Sequence, residues 1–205
     1  MEFYSVIEKR RTFRDFSSKP IPQDKVKKIL ETGLKAPTYN HLREWDFILI
    51  TDKSVLQNML NVDQVKDDYS KEELQKVFNG YEEAAKQMYF NALPKQKKMI
   101  LNAPEVIVVV YKPKTKITDC KRIYDLNCLA SIWCCIENML LSMAEEDLFG
   151  VTFVPQHTEN LKSILSIPYE LEIAAIIPFG YRSDKAKEIK QKRVNLEDRI
   201  HYNKW

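Results

Sequence analysis

The segment Ala103-Pro104-Glu105-Val106-Ile107-Val108-Val109-Val110-Tyr111 decides the fold of this chain. From Val106 to Tyr111 every residue is β-branched or aromatic, and these types favour strands. An unbroken apolar run of this kind has no polar face, so such a strand needs cover on both sides. We therefore expect a buried central strand between two layers of helices.

Further strand and helix patterns alternate on either side of this run. Strands are predicted at 45–50, 151–154 and 173–177, the last one ending at Pro178. Helices are predicted over 2–9, from Pro22 to Ala36, over 53–61 and over 159–165, with Thr158 as a good N-cap for the last. This alternation, without internal repeats, predicts an α+β fold whose central sheet lies between helical layers.

The longest predicted helix covers 125–147, and nearly all of its middle is apolar. A helix that is apolar around most of its circumference is central or lies in an oligomer interface. Three of the four cysteines, Cys128, Cys134 and Cys135, fall within it, and no CxxC pair occurs. Core thiols in a reducing compartment are therefore expected.

Two segments lie outside this pattern. Residues 62–98 are rich in Lys, Glu, Gln and Tyr and carry only a weak helical stripe. They predict a peripheral helical excursion, which is either a mobile lid or a solvated segment without a role. Residues 183–193 are basic and should be extended or loosely ordered. The aromatic end of the chain, 199–205, should dock on another surface rather than hang free.

Composition limits the class of protein. The 205 residues suit a single domain, and 44% hydrophobic residues allow a sizeable core. The formal net charge of +3 is too small and too dispersed for a nucleic-acid footprint. No apolar run reaches the roughly 20 residues that span a bilayer, and the N-terminus enters a charged helix, so no signal peptide is expected. The sequence predicts a cytoplasmic protein without a membrane segment.

Glycine and metal-ligand patterns exclude several kinds of site. The four glycines are far apart in the chain, which excludes both a Gly-rich dinucleotide loop and a P-loop. No His, Cys or carboxylate spacing is typical of a metal site. Any phosphate must therefore be held by side chains and helix ends.

The stretch Arg10-Arg11-Thr12-Phe13-Arg14 is the strongest candidate for such a site. Phe3, Val6 and Ile7 form an apolar stripe by which the first helix should face the core. Arg10 continues this stripe, so it should have an anionic partner. The following residues favour extended geometry, which would turn positions 12 and 14 to the same side as Arg10. Arginine makes forked contacts with phosphate. The alternative is a solvated charge cluster at a helix C-terminus, where cations also suit the dipole.

Several motifs in this order resemble the FMN-dependent nitroreductase family over nearly the whole chain. The first is the arginine stretch with Phe16, and the second is Ala36-Pro37-Thr38 followed by Trp45. The others are Ala103-Pro104 before a strand, Gly180-Tyr181 after a late strand, and Arg193 in a basic tail. The resemblance implies a nitroreductase-like α+β fold with a mostly antiparallel sheet, forming a homodimer with exchanged C-terminal segments.

The resemblance also implies the cofactor and its contacts. The FMN phosphate and ribityl chain would be held by Arg10, Arg11, Thr12, Arg14 and Arg193. Residues from the partner subunit would line one side of the site: Pro37, Thr38, Tyr39 and His41. The segment formed by Val154, Pro155, Gln156 and His157 would run along the isoalloxazine ring. His157 has the alternative of capping the helix that follows it.

The loop before Trp45 departs from the family pattern Asn-x-Gln-Pro-Trp, because it reads His41-Leu42-Arg43-Glu44-Trp45. The flavin edge would then face His41 and Arg43 instead of amides. A cationic Arg43 there would favour the anionic reduced flavin.

The implied activity is reduction of nitroaromatics, quinones or related acceptors by NADH or NADPH through FMN, with ping-pong kinetics and no catalytic side chain. One alternative keeps the same arginines in a flavin-binding protein that stores or senses flavin without turnover. Another is binding of nucleic acid or an anionic surface by Lys185, Lys187, Lys190, Lys192 and Arg193, which the nearby acids disfavour. Nothing in the sequence identifies the physiological acceptor.

Overall fold

The computed structural model describes residues 2–189 and 193–205. Its strands are β1 (Trp45–Ile50), β2 (Glu105–Tyr111), β3 (Leu148–Gly150) and β4 (Glu172–Tyr181). Its α-helices are α1 (Phe3–Lys9), α2 (Gln23–Leu34), α3 (Lys53–Val62), α4 (Lys71–Val77), α5 (Glu83–Ala92), α6 (Gln96–Asn102), α7 (Asn127–Glu145) and α8 (Thr158–Ile164).

The strands form one antiparallel sheet in the order β1-β2-β4-β3. All seven residues of β2 are buried, which confirms the predicted central strand. Successive side chains of a strand point to opposite faces. Ile107 and Val109 accordingly pack in one core cluster with residues of α2 and α7, whereas Val106 and Val108 pack in another with residues of α3, α6 and α8. The predicted α+β fold with a sheet between helical layers is confirmed.

Three predicted element boundaries are wrong. The strand predicted at 151–154 lies earlier, at β3, and beyond it only Phe153 pairs, as a single bridge to Ile176. Strand β4 continues through Pro178, which lacks an N–H but whose carbonyl accepts the Val151 N–H at 3.2 Å. Thr158 is the first residue of α8 and does not cap it.

Helix α1 differs from its predicted core stripe. Val6 is buried, but Phe3 is 64% exposed and Ile7 is 42% exposed. The helix contacts α7 and turns the rest of its apolar surface away from the core. The prediction that this stripe faces the core of its own protomer is therefore wrong.

The span Ile123–Glu145 is long and apolar enough to cross a membrane by length and composition alone, although charged residues such as Asp125 and Glu137 interrupt it. It joins a 3-10 helix, Ile123–Leu126, to α7. Its apolar residues have a clear place in the fold, because α7 contacts α1, α2 and three strands of the sheet.

The excursion is helical, as predicted, and consists of α4, α5, a 3-10 helix at Leu93–Lys95, and α6. Aromatic rings hold α4 and α5 together, with Phe78 stacked on Tyr89 at 4.3 Å between centroids and Tyr81 edge-on to Phe78 at 5.2 Å. Its role as a lid stays a prediction.

Candidate functional site

The stretch after α1 runs alongside the end of β4. The Ser17 N–H donates to the Tyr181 carbonyl at 2.9 Å, and the Ser183 N–H donates to the Asp15 carbonyl at 3.0 Å. Phe13 is buried with its ring edge-on to Phe149, and Thr12 is exposed. Phe13 thus points inward and the residue before it outward, and Phe16 forms a single antiparallel bridge to Arg182.

Two of the arginines have acidic partners. The Nε atom of Arg10 lies 3.6 Å from a carboxylate oxygen of Glu137 on α7, which confirms the expected anionic partner. The Nε–H of Arg11 donates to Glu188 at 3.3 Å, and its guanidinium also donates to the Arg10 carbonyl at 3.0 Å.

Arg14 differs from these two. It is half-buried, and burial lowers the pKa of its guanidinium, with the charge of Asp15 acting in the opposite direction. Within residues 2–189 and 193–205 its guanidinium makes no hydrogen bond or ion pair, and Asp15 itself pairs with Lys95 at 2.5 Å. A partly desolvated cation without its own acid is a suitable site for a phosphate. The residues present here therefore fit the phosphate of FMN.

The loop that should face a partner's flavin is held against α7. The Tyr39 N–H donates to the Ser131 hydroxyl at 2.9 Å, and the Tyr39 hydroxyl bonds to that of Tyr124, which raises the pKa of Tyr39. Pro37 and His41 are exposed, and Thr38 accepts the Arg43 N–H at 3.4 Å.

Arg43 has a structural contact that the sequence did not indicate. Its Nε–H donates to the Leu34 carbonyl at 3.2 Å, so it caps the C-terminal end of α2. Glu44 pairs with Lys112 instead of Arg43. Asn40, His41 and Arg43 all have positive φ angles, of 50°, 56° and 47°. Proximity of Arg43 to the flavin stays a prediction.

The segment 154–157 is anchored by a residue that the sequence analysis missed. The backbone N–H groups of Gln156 and His157 donate to one carboxylate oxygen of Asp63, at 2.7 Å and 2.6 Å. Val154 is 51% exposed, and Pro155 is buried. His157 is the N-cap residue of α8, but its side chain makes no capping bond. Asp63 looks like an ordinary polar residue after a helix, and nothing in the sequence singles it out.

The predicted site residues thus form three groups: the arginine stretch near β4, the loop at 37–41 near α7, and the segment at 154–157 near α3. Among the described residues, no hydrogen bond or ion pair joins one group to another. Arg193 is exposed, and the basic positions Lys190 and Lys192 lie outside the described residues.

A polar groove of about 610 Å³ lies beside the arginine stretch, lined by Ser17, Lys53 and Arg182 among others. Burial lowers the pKa of Lys53, whose ammonium donates to the Ala103 carbonyl at 2.7 Å. In the part of the chain that the structure describes, no cluster of three or more His, Cys, Asp or Glu side chains is placed to hold a metal ion.

The model of the nitroreductase family matches residues 7–181. The chain belongs to the nitroreductase family, whose superfamily consists of oxidoreductases. The resemblance inferred from the motifs is therefore confirmed.

Two relatives illustrate the range of this similarity. An iodotyrosine deiodinase of Danio rerio is 24% identical over 200 residues, which cover 96% of this chain and 65% of the relative. The chain thus spans about two thirds of that protein's length. A putative NADH dehydrogenase/NAD(P)H nitroreductase of Archaeoglobus fulgidus is 24% identical over 211 residues, covering 100% of this chain and 99% of the relative.

A solved structure shares the fold along its whole length. The crystal structure of an oxidized iodotyrosine deiodinase bound to FMN and 3-iodo-L-tyrosine superposes with a TM-score of 0.75, at 18% identity and full coverage of both chains. At this identity the similarity establishes the fold.

Proposed function

We propose that this protein is an FMN-dependent oxidoreductase that uses NADH or NADPH to reduce nitroaromatics, quinones or related acceptors. The observation that carries the proposal is Arg14, a half-buried guanidinium without its own acid in the arginine stretch of a nitroreductase-family chain. Such a group is stabilised by a phosphate dianion, which offers charge and several acceptor oxygens.

The site would be completed by a second copy of the chain. Arg10, Arg11, Thr12, Arg14 and Arg193 would hold the phosphate and ribityl chain. The loop at 37–41 packs on α7 and, among the described residues, makes no hydrogen bond to the arginine stretch or to the segment 154–157, which supports the proposal that it lines the site of a partner. Val154, Pro155 and Gln156 would border the ring.

FMN, when bound, supplies the two-electron chemistry, and the protein supplies binding, orientation and electrostatics. The arginines fix one end of the cofactor, and the anchored 154–157 backbone gives the ring a rigid border. Because no Gly-rich loop exists for a separate nicotinamide site, donor and acceptor should use the same flavin face in turn.

The test is reduction and reoxidation of the purified protein. We expect flavin absorbance in the isolated protein, loss of that absorbance on addition of NADH or NADPH, and its return with a quinone. Initial rates at varied donor and acceptor should give parallel double-reciprocal lines. Intersecting lines would contradict the shared face, and a flavin that NADH and NADPH leave oxidised would favour the storage or sensor alternative.

A second candidate is reductive deiodination of an iodinated aromatic such as 3-iodo-L-tyrosine, which the similarity to iodotyrosine deiodinases favours. In this reaction the C–I bond breaks and a C–H bond forms, iodide leaves, and reduced flavin would supply two electrons and the proton that it releases on oxidation. Incubation of chemically reduced protein with 3-iodo-L-tyrosine, followed by measurement of iodide, separates this candidate from quinone reduction.

A further inference from the structure

Asp63 adds a polar link between α3 and the segment 154–157, beside the apolar cluster in which Leu60 of α3 packs with Phe153 and Leu161. It follows α3 directly and is 4% exposed. One carboxylate oxygen accepts the N–H groups of Gln156 and His157, and the Asp63 carbonyl lies 3.3 Å from Nδ1 of His157. Asp63, the residue that anchors the segment 154–157, thus lies at the start of the helical excursion at 62–98.

The anchor uses one carboxylate oxygen of Asp63, and Nδ1 of His157 lies 3.7 Å from that same oxygen. Its second carboxylate oxygen is buried and has no hydrogen-bond partner among the described residues. An unsatisfied buried acceptor costs free energy, and a charged one costs more. An asparagine would offer the same accepting oxygen to the two N–H groups without a buried charge, so the anchor alone does not explain a carboxylate.

We infer that Asp63 is a positioning residue of the flavin site, which fixes the 156–157 backbone and places a negative charge behind it. This inference rests on the proposed function, because the segment 154–157 borders the ring only if FMN binds there. Reduction adds negative charge to the flavin, so a buried carboxylate behind this segment disfavours the reduced form. Asp63 should therefore hold the midpoint potential of the bound flavin below the value it would have with a neutral residue.

The decisive variant is Asp63→Asn, which keeps the size and one accepting oxygen. The matched control is Asp52→Asn at the other end of α3, where an exposed carboxylate caps Ser54. We expect Asp63→Asn to shift the midpoint potential to a more positive value and to weaken FMN binding about tenfold, since a charged hydrogen bond becomes a neutral one. Asp52→Asn should leave both quantities unchanged.

Amide hydrogen exchange of the FMN-free protein tests the anchoring by Asp63 separately from the proposed FMN-dependent function. Gln156 and His157 should exchange faster in Asp63→Asn than in the wild type, whether or not FMN binds. If the wild type binds no FMN, the proposed function fails, and the role of Asp63 toward a flavin fails with it. If the wild type binds FMN but Asp63→Asn keeps the same potential, affinity and flavin absorbance, the inference about Asp63 is overturned and the proposed function stands.

Discussion

The half-buried guanidinium of Arg14 should contribute directly to the affinity of the protein for FMN. Charged hydrogen bonds contribute about 1.5–3 kcal/mol each, so Arg14→Gln should weaken FMN binding by about one to two decades. Fluorescence titration of the FMN-free protein measures this change. Arg122→Gln is the matched control, because Arg122 is exposed and pairs with Asp125, outside the predicted site. If the Arg14→Gln variant bound FMN with wild-type affinity, Arg14 would not be part of the FMN site.

Cys135 on α7 gives a prediction on alkaline stability. Burial raises the pKa of its thiol from the ordinary 9.0 to about 12. Between these values the unfolded chain has lost this proton and the folded chain keeps it, so the free energy of unfolding falls as pH rises. Urea unfolding at pH 8 and pH 10.5 should show a smaller fall for Cys135→Ala than for the wild type. Cys120→Ala, at a half-exposed thiol, should show the same fall in the free energy of unfolding between these two pH values as the wild type. An equal fall in all three proteins would contradict the prediction.

At the scale of elements, three motifs noticed separately in the sequence meet in one place. A Cβ atom added to Gly180 would lie 2.7 Å from Cδ of Pro104 and 3.4 Å from Cβ of Phe16. The Ala-Pro motif before β2, the Gly-Tyr motif at the end of β4 and the phenylalanine after the arginines therefore pack against each other. Their order could be read from the sequence, but their contact could not, because it depends on the β2–β4 pairing.

Gly180→Ala should consequently destabilise the protein. The Pro104 ring is rigid and cannot move aside, and overpacking of this kind costs about 1–3 kcal/mol. Gly150→Ala is the matched control, because its nearest neighbour would be the flexible Met143 Sδ at 2.8 Å, so a smaller loss is expected. Thermal unfolding of both variants measures the difference; a Gly150→Ala protein less stable than Gly180→Ala would contradict it.

Other elements show what a sequence pattern leaves undetermined. The strand predicted at 151–154 has the right composition, yet pairing is carried by β3, where Leu148 lies opposite Tyr181. Composition indicates that a segment favours a strand, but it does not identify the neighbouring strand with which the segment pairs. The pairing with that neighbour determines at which residues the strand begins and ends. Asp63 was missed for the same reason, since its contacts are 93 residues away in the chain.

For the whole molecule, the apolar residues left uncovered support the proposed homodimer. They lie on α1, α7 and the tail: Phe3, Tyr4, Trp133, Ile200, Tyr202 and Trp205. A helical period indicates an apolar face but does not tell whether a core or a partner covers it. The apolar stripe of α1 therefore predicts a covered face without identifying the surface that covers it.

Truncation after Arg182 tests the coupling of tail, dimer and cofactor. The tail from 193 onward is exposed on its own protomer, and Trp205 is fully exposed. We expect the truncated protein to elute later from a sizing column and to lose flavin, because it lacks both Arg193 and the docking aromatics. Trp133→Glu should weaken the dimer as well, whereas Tyr169→Glu, at another exposed aromatic, should not. A truncated protein that elutes like the full chain with its flavin intact would refute the coupling.

The β2–β4 pairing also governs how the chain reaches its fold. Val106 pairs with Pro178 and Ile50 pairs with Val106, so both central contacts close long loops, which slows folding. On a ribosome that adds about 5–20 residues per second, β2 emerges on the order of several seconds before β4. During this time its open edge is a template for association with other nascent chains. A chain that stops before residue 172 keeps that edge permanently, and insoluble aggregate is its expected product.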